Sequence, residues 1–188
     1  MRINNSDDYF GIVSASLHWS NALLILFLFG LGAYMTELSY MHPNYTFSYT
    51  VHKSLGILVF ELGVLQILWA WISHRPAHLA AHRWWEKLAA TIVHRIFFFM
   101  IVLIPLSGYA ISSAEGKGVE FFDWYAIPAL LPQIENQADI AGKIHYYLAY
   151  GTLALVLLHI TAALKHQFIE RDGTISRMLC IRVPNPKQ

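Results

Sequence analysis

Residues 145–159 read HYYLAYGTLALVLLH, an apolar run with a histidine at each end. The two histidines are 14 positions apart. On a helix that rises 1.5 Å per residue, this spacing places them roughly 21 Å apart along the axis and nearly on one face. Ionisable side chains inside an apolar span are rare and usually mark function. The stretch therefore predicts a membrane helix that presents two histidines at two depths.

Three other apolar stretches are long enough to cross a bilayer, which needs roughly 20 residues. The four predicted spans cover about 16–36, 50–72, 89–112 and 142–167. Of the 188 residues, 56% are hydrophobic and 13% are charged, which is too apolar for a soluble domain. Only helices and closed barrels satisfy their backbone groups in lipid, and no alternating pattern is present. We predict an all-α integral membrane four-helix bundle that forms one domain over 1–188.

The connections between the spans differ in charge. Ten of the thirteen Lys and Arg residues fall in the leader, the middle connection and the tail: Arg2, Arg75, Arg83, Lys87, Arg95, Lys165, Arg171, Arg177, Arg182 and Lys187. Because cytoplasmic loops are enriched in Lys and Arg, both termini are predicted to be cytoplasmic, and loops 37–49 and 113–141 periplasmic. The first span lacks a small-residue cleavage pattern and is predicted to be retained. A net charge of +1 gives no electrostatic argument for binding nucleic acid.

Five of the ten histidines lie inside the predicted spans: His18, His52, His94, His145 and His159. Topology assigns partners to the two on the fourth span. His18 is near the cytoplasmic start of the first span, at the depth of His159. His52 is near the outer start of the second span, at the depth of His145. Depth therefore predicts two separate histidine pairs.

Each pair has the donors of a haem site rather than of a zinc site. Two imidazoles without a carboxylate or thiolate cannot complete a tetrahedral zinc site, but they fill both axial positions of a haem iron. The chain has one cysteine, Cys180, and no C-x-x-C-H segment, so the haem would be held non-covalently. We predict two haem b groups with four ligands: His18, His52, His145 and His159. Iron with both axial positions filled is suited to electron transfer.

Three glycines share a face with these histidines. Gly56 and Gly63 follow His52, and Gly32 follows His18, at helical spacings. A flat porphyrin needs such clearance, but small residues also let membrane helices pack closely. Both interpretations stay open at this point.

Several short segments carry a resemblance to a known family. They are SLHW at 16–19, HKSLG at 52–56, SGY at 107–109 with GK at 116–117, and the run from His145 to KH at 165–166. In this order, over about 9–179, the chain resembles the bacterial cytochrome b561 family. The resemblance implies a four-helix di-haem protein of the inner membrane that exchanges electrons with ubiquinone, with the same ligand pairs. One branch of the family oxidises superoxide at the periplasmic surface.

The chain departs from the family at Gln66, where members often carry an Arg that faces a haem. Because Gln66 follows His52 by 14 residues, it is expected beside the cytoplasmic haem. Arg95 and Lys165 at the same boundary are candidates to replace that charge. Both residues also fit ordinary positive-inside charges.

Other features allow more than one interpretation. His94 could substitute as a ligand, bond a quinone or bond the backbone, and His166 is expected at the membrane interface. Glu61 could be protonated, bonded to its helix or part of a proton path. The apolar segment 126–131 is predicted to be a short re-entrant or interfacial piece. The remaining histidines are expected in solvated loops: His42, His74, His78 and His82. Aromatic belts are expected from Trp19, Trp69, Trp71, Trp84 and Trp85 on one side, and from Tyr34, Tyr40, Trp124 and Tyr125 on the other.

The leading hypothesis is a di-haem b-type cytochrome that passes electrons across the inner membrane from a periplasmic one-electron donor to ubiquinone. Superoxide is a candidate donor, which would make the protein a superoxide:ubiquinone oxidoreductase. The alternative is a cytochrome subunit that anchors a separate periplasmic redox enzyme, with Phe121, Phe122 and Trp124 as a docking face. A third hypothesis is a transporter or structural bundle without a cofactor. The long outer loop holds Lys117 and five acids: Glu115, Glu120, Asp123, Glu135 and Asp139.

Overall fold

The structure is a computed structural model that describes residues 3–77, 79, 83–122 and 124–181. Some residues named above lie outside these ranges: Arg2, His78, His82, Asp123, Arg182 and Lys187. Four long helices dominate the chain: α1 (Ile12–Thr36), α2 (Tyr45–Ile72), α3 (Trp84–Ser112) and α4 (Gln137–Leu164). All four are long and apolar enough to cross a membrane. The predicted all-α four-helix fold is therefore confirmed.

The helices begin four or five residues earlier than the apolar spans suggested, and end within three residues of the predicted positions. Hydropathy identifies only the most apolar part of a helix, whereas the first turns of α2, α3 and α4 are mostly aromatic or polar. In α3, for example, the backbone N–H of Arg83 donates to the Glu86 carboxylate at 2.8 Å, which caps the helix before its apolar part starts.

Packing within the bundle is uneven. Helix α1 packs along α2, α3 packs along α4, and α2 also contacts α3, whereas α4 makes few direct contacts with α1. The side chains that the described part of the chain buries most deeply are small and polar, with Ser54 and Ser113 at 0% exposure and Asn21 at 2%. Large apolar side chains such as Phe99 and Leu158 lie on the outside, at 66% and 67% exposure. Such a distribution is expected where lipid surrounds the bundle and small residues let helices approach.

The connection between α3 and α4 contains a short hairpin. Strand β1 (Val119–Phe121) pairs antiparallel with β2 (Tyr125–Ile127), and β1 packs against α2. The Ser54 hydroxyl of α2 accepts the backbone N–H of Phe122 at 2.8 Å. Segment 126–131 was predicted to be one re-entrant or interfacial piece. In the structure its first two residues complete β2, and the rest lies outside the strand. The strand ends before Pro128, because proline has no N–H to donate to a β ladder.

The opposite end of the bundle is closed by the leader and by the short helix α5 (Thr174–Met178). The buried Arg177 guanidinium of α5 donates to the carbonyl oxygens of Asp7 and Asp8 at 2.8 and 2.7 Å. The Trp19 indole N–H of α1 donates to the Met178 carbonyl at 3.2 Å. We call this end, which also carries the α2–α3 connection, the terminal end, and the other the hairpin end.

Candidate functional site

Helices α1 and α4 bring two histidines together near the terminal end. The ring centroids of His18 and His159 are 6.4 Å apart, and the ring planes are inclined by 63°. A second pair lies nearer the hairpin end, where the rings of His52 in α2 and His145 in α4 are 6.2 Å apart and inclined by 69°. The two neighbouring pairs are therefore those predicted from the depth of each histidine.

The ring spacing fits a metal held between each pair. A ligating imidazole nitrogen lies about 2 Å from a transition metal, and its ring centre about 1.1 Å further away, so two imidazoles on opposite sides of a metal would place their ring centres about 6.2 Å apart. Both observed spacings are within about 0.2 Å of that value. Both pairs also bridge regions where α4 makes sparse direct contact with the opposing helices.

The ring of His145 is oriented by its own protein. Its Nδ1 lies 3.0 Å from the Ile104 carbonyl oxygen of α3 and 3.0 Å from the Ser107 hydroxyl. A carbonyl oxygen can only accept, so Nδ1 carries the proton and donates it. That tautomer leaves Nε2 free of a proton and able to ligate a metal. A Cβ on Gly108 would lie 3.3 Å from the His145 ring, so Gly108 gives the ring its clearance.

The ring of His52 is placed differently. A Cβ on Gly32 would come within 3.1 Å of its Cε1 atom, so α1 approaches this ring closely. Its Nδ1 is buried and has no hydrogen-bond partner among the residues that the structure describes. A buried polar atom without a partner costs about 1–3 kcal/mol. A ring that its surroundings satisfy poorly is consistent with a site completed by a bound group.

The three glycines turn out to serve different purposes. Gly32 lies in the layer of His52 rather than of His18, because 14 residues of helix carry it to the other depth. A Cβ on Gly63 would lie 1.9 Å from Cγ2 of Ile101, so this glycine allows α2 and α3 to pack. A Cβ on Gly56 would meet nothing within 4 Å, so this glycine leaves free space one turn after His52.

A third histidine joins the terminal-end pair. The ring of His94 in α3 is 5.4 Å from that of His159, and Phe97 packs edge-on to the same ring at 5.5 Å. The sequence predicted His94 near this boundary but did not indicate which side of α3 it occupies. The structure places it against a proposed ligand.

Gln66 and the two residues that could replace the family's Arg charge, Arg95 and Lys165, differ in their surroundings. The Gln66 side-chain oxygen accepts from the Asn21 amide of α1 at 2.7 Å, one turn from His18. The Lys165 ammonium lies 3.2 Å from Glu86 and 2.6 Å from Glu170, so carboxylates already pair it. Arg95 is exposed on α3 beside His94. Of the two candidates, Arg95 therefore keeps the freer charge.

Glu61 has a partner that sequence reasoning missed. The Tyr125 hydroxyl of β2 donates to its carboxylate at 2.7 Å, and Phe121 of β1 stacks on the Tyr125 ring with centroids 5.0 Å apart. The hydrogen bond to Glu61 raises the pKa of Tyr125 above its usual value. Glu61 thus anchors the hairpin to α2. No local pattern signals a contact between residues 64 positions apart.

The remaining histidines that the structure describes, His42, His74 and His166, belong to neither pair. His74 bonds Asp7 at 2.7 Å, and the ring of His42 accepts the backbone N–H of Asn44 at 3.1 Å. His166 lies at the terminal end, 2.5 Å from Glu170, within a cluster of charged residues. It is therefore at the bundle boundary, as expected, but its surroundings are carboxylates rather than open solvent.

Four membrane-length helices with paired histidines between them define a class, that of the helical membrane cytochromes with b-type haem. The chain belongs within it to the prokaryotic cytochrome b561 family, whose sequence model matches residues 9–180. It is 38% identical over 179 residues to cytochrome b561 homolog 2 of Escherichia coli (strain K12), and the aligned residues make up 95% of each of the two chains. Cytochrome b561 homolog 1 of the same organism is 28% identical over 170 residues, which is 87% of this chain and 92% of the relative.

A third relative, the probable superoxide oxidase CybB of Yersinia pestis, is 26% identical over 133 residues, which is 69% of this chain and 73% of the relative. Family membership confirms the resemblance noted in the sequence. It implies b-type haem and electron transfer, and the four helices make this a multi-pass membrane protein.

Proposed function

We propose that this chain is a di-haem b-type cytochrome that carries electrons across the membrane between a one-electron donor at the hairpin end and ubiquinone. His18 and His159 would hold one haem b, and His52 and His145 the other. The observation that carries the proposal is the presence of two imidazole pairs with nearly equal ring spacing, 6.4 and 6.2 Å, at two depths of one bundle.

A haem with two histidine ligands supplies one-electron storage without an open position for oxygen. The protein contributes orientation and the surrounding medium. The Ile104 carbonyl fixes the tautomer of His145, and such contacts to the outer ring nitrogen also tune ligand basicity. Helix α4 supplies one histidine to each pair, so a single rigid element fixes the distance between the sites.

The proposed orientation places both termini in the cytoplasm and the hairpin end in the periplasm, in the inner membrane. It rests on the distribution of basic residues. In the part of the chain that the structure describes, the basic residues at the hairpin end are Lys53, Lys117 and Lys143. Most of the other basic residues lie at the terminal end. An alkaline phosphatase fusion at the C-terminus should be inactive, and one in the loop near Leu131 should be active. The reverse pattern would contradict the orientation.

Superoxide is our candidate donor, because one relative bears the name probable superoxide oxidase. The alternative role is that of a subunit anchoring a periplasmic redox enzyme. The observation in its favour is Trp124, which lies at the hairpin turn with 81% of its surface exposed. Phe121 beside it is buried, so the docking face would be smaller than the sequence suggested. Co-purification of a partner from native membranes, lost on Trp124→Ala, would favour this second role.

The test of the main proposal is a reduced-minus-oxidised spectrum with haem counted per chain. We expect two haems. His52→Ala and His145→Ala should deplete one spectral component, and His18→Ala and His159→Ala the other. His42→Ala is the matched control, because this loop histidine lies away from both pairs and should leave both components intact. Depletion of the same component by His52→Ala and His159→Ala would overturn the pairing.

A further inference from the structure

Charged side chains converge at the terminal end, where α4 stops. Here Glu86 from the first turn of α3 meets His166 and Glu170 from the segment that follows α4. One nitrogen or oxygen from each of the three side chains lies within 4.8 Å of the others. The Glu86 and His166 side chains are only 9% and 13% exposed, and Glu170 is 30% exposed. The cluster is thus largely shielded, and it contains neither of the proposed haem ligand pairs.

A change in helix geometry gathers these groups. Residues Lys165–Ile169 form a π-helical turn, in which the Glu170 N–H donates to the Lys165 carbonyl at 3.1 Å. In a regular α-helix, positions five apart lie about 140° apart around the axis, so they face different directions. The wider turn allows Glu170 to face both Lys165 and His166. Single π turns within helices occur frequently at functional sites.

The two carboxylates already hold a cation between them. The Lys165 ammonium is 3.2 Å from Glu86 and 2.6 Å from Glu170, so oxygens from two separate segments converge on one positive charge. The hydrogen bond from Lys165 holds the pKa of the Glu170 carboxyl below its usual range. Both observations indicate a position suited to a cation, with the His166 imidazole beside it.

We propose that Glu86, His166 and Glu170 bind a divalent transition-metal ion of the zinc class, with the Lys165 ammonium displaced when the ion enters. One imidazole and two carboxylates form a zinc-type donor set, whereas magnesium prefers oxygen donors and retains its waters. Asp172 is a candidate fourth donor, because its carboxylate lies 3.3 Å from His166 Nδ1. The bound ion would tie the start of α3 to the end of α4. This site is independent of the proposed haem function.

The test uses the haem-loaded protein in nanodiscs and measures Zn²⁺ binding by competition with a chromogenic chelator. We expect one Zn²⁺ per chain beyond haem iron and no competition from Mg²⁺. His166→Ala and Glu170→Gln should each weaken binding at least about tenfold, because removing even a hydrogen-bond partner of a metal ligand typically lowers metal affinity by about 10–100-fold. Lys165→Met should strengthen it, because the competing ammonium is gone. His74→Ala is the matched control, since His74 pairs with a single carboxylate at the same end, and its affinity should equal that of wild type.

The haem spectrum and the melting temperature establish that each variant is folded. Glu86 is left unchanged because its carboxylate also caps α3. Equal Zn²⁺ affinity in wild type and His166→Ala would overturn the proposed site. Loss of Zn²⁺ binding in the control variant His74→Ala would also overturn it. Absence of stoichiometric Zn²⁺ in both wild type and Lys165→Met would show that the cluster is an ion-pair network only.

Discussion

Replacing Gly63 with Ala should separate α2 from α3. A Cβ at this position would lie 1.9 Å from Cγ2 of Ile101, which is 8% exposed. Non-bonded carbons are in favourable contact at about 3.5–4.0 Å, so the helices must open by about 1.6–2.1 Å or Ile101 must leave its rotamer. Overpacking of this kind costs about 1–3 kcal/mol. A Gly-to-Ala change within a helix also gains up to about 1 kcal/mol of propensity, which partly masks the loss.

The assay is thermal loss of the haem Soret band in detergent. Gly151→Ala is the matched control, because a Cβ there meets nothing within 4 Å and the variant isolates the propensity gain. Gly63→Ala should lose haem at a lower temperature than this control. Adding Ile101→Ala should restore much of the loss, since the new methyl group then occupies the vacated space. Equal stability of Gly63→Ala and Gly151→Ala, or simple additivity with Ile101→Ala, would refute the packing argument.

Four further predictions concern the two histidine layers. Ser107→Ala should keep both haems but shift the midpoint potential of the hairpin-end haem, because the Ser107 hydroxyl contacts His145 Nδ1. Redox titration of both haem components measures this shift, and an unchanged midpoint potential would contradict the prediction. Gln66→Arg should shift the midpoint potential of the terminal-end haem more than that of the hairpin-end haem. Equal shifts of the two potentials would count against the placement of Gln66 beside the terminal-end haem. His94→Ala should leave two haems per chain while altering the terminal-end component; loss of that haem would instead identify His94 as a ligand. Reduction of the haems by superoxide should be slower and less salt-sensitive than in a family member with a basic outer face. Acidic residues predominate in the outer loop, and Lys117 is paired with Glu115 at 2.9 Å. Stopped-flow rates that approach the diffusion limit and fall steeply with salt would contradict this prediction.

Family membership and fold class were accessible from local patterns. Apolar spans of membrane length identify helices because lipid imposes the same requirement on every backbone group, wherever the span packs. The histidine pairs could be assigned as neighbours because antiparallel helices of similar length constrain depth. Their role as haem ligands stays a prediction, supported by the ring spacing, as do the quinone, the donor and the orientation.

The sequence was least informative where contacts join distant segments. Spacing predicted that Gly32 shares a face with His18, but it did not indicate that Gly32 lies against His52 of the other layer, because that contact depends on depth as well as on the face. The apolar segment 126–131 was predicted to be a short re-entrant or interfacial piece, but the sequence did not indicate that its first residues pair with β1. Neither the strand partner of a short segment nor its supporting helix is encoded in periodicity.

The number of spans, the two depths of histidine on α4 and the family could be inferred from the amino-acid sequence, because they follow from spacing along the chain and from the demands of lipid. Tertiary packing selects the side chains that complete each layer: His94 against His159, Asn21 on Gln66, and Ile104 on His145. The rotation of each helix about its axis makes that choice. Rotation depends on close packing, as at Gly63 and Ile101, which involves both partners at once and cannot be inferred from one segment alone.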